Sequence, residues 1–369
     1  MRRCIGIDGS RATVGQPTGT ERYAIELLSA LAKLDQADEF RVYFNQPTPP
    51  TALDYPGRAV CIPGARFWTV RSLAREMRRD PPDLLFVPSH VIPPFHPKAV
   101  VTIHDLGYLI EPECHEPRHR KQLEWTTRWN CHAATGIITV SESTRRDLID
   151  LLRVPGDRVE VIPHGVSPAF ARASPDAIEK LRAGYHLPGR FILAVGTIHP
   201  RKNLVRLIQA FEFLANDDPD LALVLVGRPG WRADEILDRV KRSPFFNRIL
   251  HLGFVQDAEL PALYSAATVT AFVSLYEGFG LPALESMSCG TPVVAANRSS
   301  LPDVCGDAAI LVDPFDSVQI ASGLARALDD RAWRRAAIRR GRDLSSSFTW
   351  QNCAQQTLAF LRAFRDNSI

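Results

Sequence analysis

Short apolar runs recur along nearly the whole chain, most of them followed by a stretch with helical spacing, and this alternation leaves few folds open. Residues 4–7, 41–44, 84–87, 100–103, 136–140 and 159–162 have the length and apolar character of buried strands. Residues 21–34 carry Tyr23, Leu27, Leu28 and Leu31 at the spacing of one helix face. Strand, helix and strand in series predict a parallel sheet, because parallel neighbours need a long crossover and a helix commonly supplies it. Around residues 163–188 the pattern gives way to His164-Gly165-Val166-Ser167-Pro168 and a polar stretch ending at Leu187-Pro188-Gly189. It then restarts, with strands at 191–195, 221–226, 249–252, 271–275 and 291–296 and helices at 204–214, 234–242 and 257–266. The predicted fold is α/β: two Rossmann-like domains whose parallel sheets face an interdomain cleft. The domains are placed at 1–168 and 169–349, with an amphipathic C-terminal helix, 350–369, returning to the first. A length of 369 residues agrees, since it exceeds what one core usually holds.

Composition removes several function classes. A formal net charge of +3 is too small for a general nucleic-acid binder, which needs a concentrated basic field. Seven scattered cysteines without a CxxC pair suit reduced thiols, not a disulfide framework or a zinc site. No run has the length of a bilayer span, and the N-terminus lacks the apolar stretch of a signal peptide. A cytoplasmic enzyme is expected.

Residues 276–292 read Tyr-Glu-Gly-Phe-Gly-Leu-Pro-Ala-Leu-Glu-Ser-Met-Ser-Cys-Gly-Thr-Pro, between two apolar runs. This is strand, glycine turn, helix, strand, and in open α/β sheets such turns lie at the carboxyl edge where ligands bind. The amides of Gly278, Phe279, Gly280 and Leu281 would be unpaired at a helix start that favours an anion. Glu277 and Glu285 flank that turn. Carboxylates beside an anion site make sense for a ligand that is rich in hydroxyls as well as charged, such as a nucleotide sugar; the alternative is a helix with two solvated glutamates. Gly196-Thr197-Ile198-His199-Pro200-Arg201-Lys202-Asn203 follows the first strand of the second half. It puts Arg201 and Lys202 at the same edge, where they would hold a diphosphate; the alternative is a solvated basic pair in a turn. The Asp218-Pro219-Asp220 pattern precedes a strand, so it falls at the opposite edge and reads as a turn, with no metal site expected.

The phosphate loop, the two glutamates with seven residues between them and Thr291-Pro292-Val293-Val294 resemble the retaining glycosyltransferase family 4, of GT-B fold. Val101-Thr102-Ile103-His104-Asp105 and Val161-Ile162-Pro163-His164-Gly165-Val166 extend the resemblance over nearly the whole chain. It implies that Glu277 touches the transferred sugar, Glu285 the nucleotide ribose and Lys202 the donor diphosphate. It places His104 near the transferred sugar, and it implies no metal and no cofactor beyond the substrate nucleotide sugar. On this reading His104, Glu277 and Lys202 are catalytic. Gly19, Gly196, Arg201, Lys202, Val255, Glu277, Gly278, Phe279, Gly280, Leu281 and Glu285 bind the donor. Thr197 stands where many members carry an arginine, a role Arg201 would then take. The His-Pro-Arg-Lys-Asn form of the loop resembles bacterial mannosyl-type members, making GDP-mannose the first donor expected. The acceptor expected is a saccharide or lipid-linked saccharide.

Other residues keep two readings. His104 either faces a sugar or is satisfied by loop backbone. The loop 15–20 either approaches the donor through Gly19 or is a flexible turn. Val255 would read the base with its backbone, and Glu259 is equally a helix-start acid. On a helix, Phe67, Val70, Leu73, Ala74 and Met77 of 66–80 share one face while Arg71, Arg75, Arg78 and Arg79 lie elsewhere. With the basic and aromatic stretch 116–129, this suits either an ordinary surface helix or peripheral contact with an anionic membrane at its inner face. A UDP-N-acetylglucosamine epimerase or hydrolase and a non-catalytic sugar-nucleotide-binding subunit are the competing functions. A nicotinamide enzyme is disfavoured, because Gly6, Gly9, Gly15 and Gly19 lack the Gly-x-Gly-x-x-Gly spacing.

Overall fold

The computed structural model describes residues 3–14, 19–34, 37–49, 51, 53–64, 66–89 and 91–366. The chain divides into two compact units. Met1–Leu106, Arg118–Gly165 and Phe348–Ile369 form one, and Gly107–Pro117 with Val166–Ser347 form the other.

Unit 1 is built on β1 (Cys4–Asp8), β2 (Glu39–Phe44), β3 (Arg58–Cys61), β4 (Leu84–Val87), β5 (Lys98–Ile103), β6 (Gly136–Thr139) and β7 (Val159–Val161). They lie in the order β3-β2-β1-β4-β5-β6-β7, all parallel. The C-terminal helix Trp350–Arg365 buries Trp350, Cys353, Leu358, Leu361 and Phe364 in the same core as Ile5, Tyr23, Leu27 and Phe86. Thr349 caps its start by accepting the Asn352 N–H. Gly165, the last residue before the chain leaves this unit, lies so close to the backbone of Thr349 and Trp350 that no side chain fits there.

Unit 2 repeats the plan with β8 (Arg190–Val195), β9 (Leu221–Val226), β10 (Ile249–His251), β11 (Val269–Phe272), β12 (Val293–Ala296) and β13 (Ala309–Val312). The order is β10-β9-β8-β11-β12-β13, again parallel. Every residue of β9, Leu-Ala-Leu-Val-Leu-Val, is buried, as expected of a parallel strand covered on both faces. Strand order reverses between β8 and β11, and the loops after these two strands therefore flank the switch point where such sheets bind ligands.

Two expectations are corrected. Gly107–Pro117, assigned from the sequence to the first domain, belongs to unit 2. Glu111 there pairs with Arg298 at 3.0 Å, and the His115 ring meets His199 edge-on at 5.6 Å. The segment 66–80 is not one regular helix either. Phe67 has φ +63°, Thr69–Leu73 is a π-helical turn, and the α-helix begins only at Ala74. The wider turn breaks the 3.6-residue spacing. Leu73, Ala74 and Met77 stay inside, joined by Trp68, while Phe67 and Val70 are 52% and 42% exposed.

Candidate active site

At the carboxyl end of β8 the chain passes through Gly196 into the short 3₁₀ turn Pro200–Lys202. A Cβ at Gly196 would lie 2.9 Å from Lys202 Cε, so the bare backbone is what lets Lys202 fold back over it. His199 caps the turn, its Nδ1 accepting the Arg201 N–H at 3.3 Å. Asn203, buried in left-handed backbone, donates from Nδ2 to the carbonyls of Val273 and Pro314. The Leu275 N–H donates to the Arg201 carbonyl at 2.8 Å. The loops after β8 and β11 are thus bolted together, and both are rigidly placed at the switch point.

That joining brings together side chains 75 positions apart. Lys202 Nζ donates to Glu277 Oε1 at 2.6 Å, and its ammonium lies 4.7 Å from the centre of the Phe272 ring. Arg201 Nη1 reaches Glu277 Oε2 at 3.1 Å and the Tyr276 carbonyl at 2.5 Å. The Glu277 N–H donates to Ser299 Oγ, and Ser300 Oγ donates to the carbonyls of Glu277 and Phe279. These contacts fix the glycine turn, after which the helix Leu281–Ser288 starts at Gly280. Among the described residues, the amides of Gly278, Gly280 and Leu281 donate to no protein acceptor. Gly278 and Gly280 are buried, and buried donors of this kind require a partner. A cavity lined by Gly196, Lys202, Phe272 and Ser274 adjoins the cluster.

Electrostatics here have a clear sign. Burial pushes the Glu277 carboxyl up, but the Arg201 and Lys202 charges outweigh it and hold it at about 2. His199 is pushed down to about 4, first by burial and then by Arg201, so it is neutral at pH 7 and available as an acceptor. A carboxylate depressed from 4.5 to about 2 stabilises the fold above its unfolded value and loses that contribution as pH falls through the folded one. Between pH 6 and pH 3 the loss is about 2 kcal/mol. Urea unfolding of unit 2 should show that component in the wild-type protein and lack it in Glu277→Gln. Identical pH dependence in the two proteins would refute the ion-pair assignment.

The remaining predicted residues fall as follows. Glu285 is buried on the helix Leu281–Ser288, and its Oε2 accepts the Tyr264 hydroxyl at 3.0 Å. Val255 is buried in the loop after β10, at the same sheet edge. Glu259 stands at the start of the helix Leu260–Ala266 but does not cap it; its carboxylate accepts the Tyr185 hydroxyl at 2.8 Å. Asp218 pairs with Arg190 at 3.1 Å and accepts the Asp220 N–H, a turn before β9. In unit 1, His104 follows β5 and its Nε2 donates to the Pro88 carbonyl at 3.0 Å. Burial lowers its pKa, so the ring is neutral and Nδ1 carries the lone pair. Tyr23 and His164 surround it at 4.8 Å and 5.7 Å between ring centres. Gly19 opens the helix Gly19–Ala32, and a side chain there would meet nothing of the protein within 4 Å. Residues 15–18 of its loop lie outside the described residues.

Sequence reasoning missed Ser299, Ser300, Tyr264 and Gly227. Only Gly227 left a signal: a glycine directly after a strand, at the edge where Gly196 follows β8.

Two parallel sheets in this order, with paired cations and a glycine turn of unpartnered amides at the switch point of the second, define an α/β enzyme of GT-B architecture. Solved structures agree. Sucrose-phosphate synthase from Thermosynechococcus elongatus superposes with a TM-score of 0.79 at 22% identity, covering 98% of this chain and 99% of that one. Anabaena HepE, in complex with UDP and glucose, gives 0.75 at 20% identity over 98% and 100%. Residues 17–170 match the pattern described as Glycosyltransferase Family 4, and residues 179–344 that of Glycosyl transferases group 1. The O-antigen chain mannosyltransferase B of Escherichia coli is 32% identical over 361 residues, covering 92% of this chain and 95% of that protein. The chain belongs to the family 4 glycosyltransferases of GT-B fold.

Proposed function

We propose that this glycosyltransferase moves mannose from GDP-mannose to a saccharide or lipid-linked saccharide in cell-surface polysaccharide synthesis, with retention of configuration and without a metal. The observation that carries the reading is the Lys202–Glu277–Arg201 cluster beside the free amides of Gly278, Gly280 and Leu281. A departing nucleoside diphosphate needs charge stabilisation at its phosphates, and two cations and a helix start supply it without an ion. Kinship with an O-antigen mannosyltransferase supports mannose. In the proposed step the bond from the sugar's C1 to the phosphate oxygen breaks, and the acceptor oxygen bonds to C1 on the same face. The acceptor's proton passes to the departing phosphate. Glu277 meets the sugar hydroxyls, Glu285 the ribose, and His104 Nδ1 accepts a hydroxyl of the sugar.

Thermal shifts with GDP-, UDP-, ADP- and dTDP-sugars test the donor: GDP-mannose should raise the melting temperature most. A larger rise with another nucleotide sugar overturns the donor assignment. Free sugar or an epimer released without acceptor would establish the hydrolase or epimerase reading. A covalent glycosyl-enzyme would overturn same-face attack.

We also propose that unit 1 touches an anionic membrane at the cytoplasmic face. Phe67 stands out between the Arg66 and Arg71 guanidiniums, which lie 5.0 Å and 5.4 Å from its ring centre, and Val70 is exposed beside it. Exposed Phe95 sits under Arg78, and Trp125 is exposed on the helix Pro117–Ala133. Exposed aromatics framed by arginines suit an interface of lipid headgroups and chains.

A further inference from the structure

The helix Arg331–Ser347 of unit 2 carries six arginines, 331, 334, 335, 339, 340 and 342, against one acid, Asp343. Its charge excess is larger than the formal +3 of the entire chain. Arg334 and Arg340 are engaged inward. The first donates to the carbonyls of Thr268 and Ala327, the second to the carbonyl of Asp307. The other four behave differently. Arg331, Arg335, Arg339 and Arg342 are exposed, and none of them is in an ion pair among the described residues; Arg342 alone lays its guanidinium back over Gly290. Spaced by four, four and three, they fall on one stripe of the helix surface. The stripe is about 16 Å long. Exposed Ser346 shares it, and no apolar residue does. The opposite side, Ala337, Gly341 and Ser345, is buried. Gly341 there approaches Met287 of the helix that carries Glu285.

We propose that this arginine stripe rests on an anionic phospholipid surface. A row of like charges on one helix face repels itself weakly in salt water, and an anionic surface laid against it turns that repulsion into attraction. Its composition selects the occupant. A protein interface would want an apolar centre, and this stripe has none. A single-stranded nucleic acid would want aromatic platforms between the cations, which are also missing. A fluid plane of phosphate headgroups needs neither, because lipids move to meet fixed charges. Unlike the patch of unit 1, the stripe carries no aromatic side chain. Attraction without insertion should therefore be strongly sensitive to salt. Close packing against the Glu285 helix would tie unit 2 directly to the membrane on which a lipid-linked acceptor resides.

The test compares the full chain with the quadruple variant R331Q/R335Q/R339Q/R342Q on sedimented vesicles of phosphatidylcholine with about one-third phosphatidylglycerol. Binding should fall roughly a hundredfold, from about fivefold for each of four charges with some loss of additivity. Far-UV circular dichroism should be unchanged, since none of the four is in an ion pair among the described residues and only Arg342, whose guanidinium lies over Gly290, packs on the fold. Pure phosphatidylcholine vesicles should bind neither protein. The variant F67S/V70S serves as the control for unit 1. The proposal is overturned if wild-type protein ignores anionic vesicles, or if the quadruple variant binds them as wild type does. A quadruple variant that loses only its retention on heparin also overturns it, reassigning the stripe to another polyanion.

Discussion

Lys202→Ala is expected to lower kcat/KM for the sugar donor by about 10²–10³, while Glu277→Gln lowers kcat by a similar factor without weakening nucleoside diphosphate binding. The opposite behaviour of two residues 2.6 Å apart follows from their charges. Lys202 contributes a cation that a departing diphosphate needs most in the transition state. Removing it leaves Arg201 alone, already shared between Glu277 and the Tyr276 carbonyl. Glu277 instead competes with any incoming phosphate for both cations, and it holds them tightly enough to depress its own pKa to about 2. Neutralising it in an isosteric side chain frees Lys202 and Arg201, so the nucleoside diphosphate should bind about three- to tenfold more tightly. Turnover should still fall, because the carboxylate proposed to face the sugar is gone. Calorimetry of nucleoside diphosphate binding alongside steady-state kinetics separates these effects. Weaker binding in Glu277→Gln would mean that the carboxylate orients Lys202 more than it competes for it.

The amino-acid sequence makes some of this legible and hides the rest for physical reasons. Strands such as Leu221–Val226 stand out because both of their faces are covered, leaving an unbroken apolar run. Arg58–Cys61, at the edge of the first sheet, is apolar for only three of its four residues and is not among the strands that the pattern predicts. Neither is Ala309–Val312, an edge strand of the second sheet, which is apolar throughout but only four residues long. Glu277, Lys202 and Arg201 were identifiable singly, from glycine turns after strands. Their direct pairing was not, since it depends on how two loops 75 positions apart meet across the switch point. Ser299 and Ser300 look like any polar loop until the turn they hold is seen. Spacing of 3.6 residues puts Phe67 on one face with Leu73, Ala74 and Met77, and one π-turn is enough to part it from them. The arginines of Arg331–Ser347 are plain in the sequence; which of them are engaged is decided by tertiary contacts.

Gly227→Ala is expected to destabilise unit 2 by about 3–5 kcal/mol and to weaken donor binding with it. Gly227 follows β9 with φ +143°, a region that side chains rarely enter, and its ideal Cβ would fall well inside contact distance of the Gly196 carbonyl. Neither side of this crossing can yield cheaply. The Gly227 N–H donates to the Gly253 carbonyl at 2.8 Å, and the Gly227 carbonyl accepts from His251 Nε2 at 2.9 Å. On the other side, the Gly196 N–H donates to the Val226 carbonyl and the Ile198 N–H to the Arg228 carbonyl, both at 2.8 Å. A methyl group must therefore break one of these bonds or push the Gly196 loop away, and that loop carries Lys202. Gly253→Ala provides the contrast. Its backbone is also left-handed, at φ +67°, but a Cβ there meets nothing within 4 Å, so only the conformational cost of about 1–2 kcal/mol remains. Urea unfolding of both variants, with nucleotide-sugar binding followed in parallel, isolates the steric part. Equal losses in the two would show that the crossing relaxes, and that the close approach of Gly196 and Gly227 does not hold Lys202 in place.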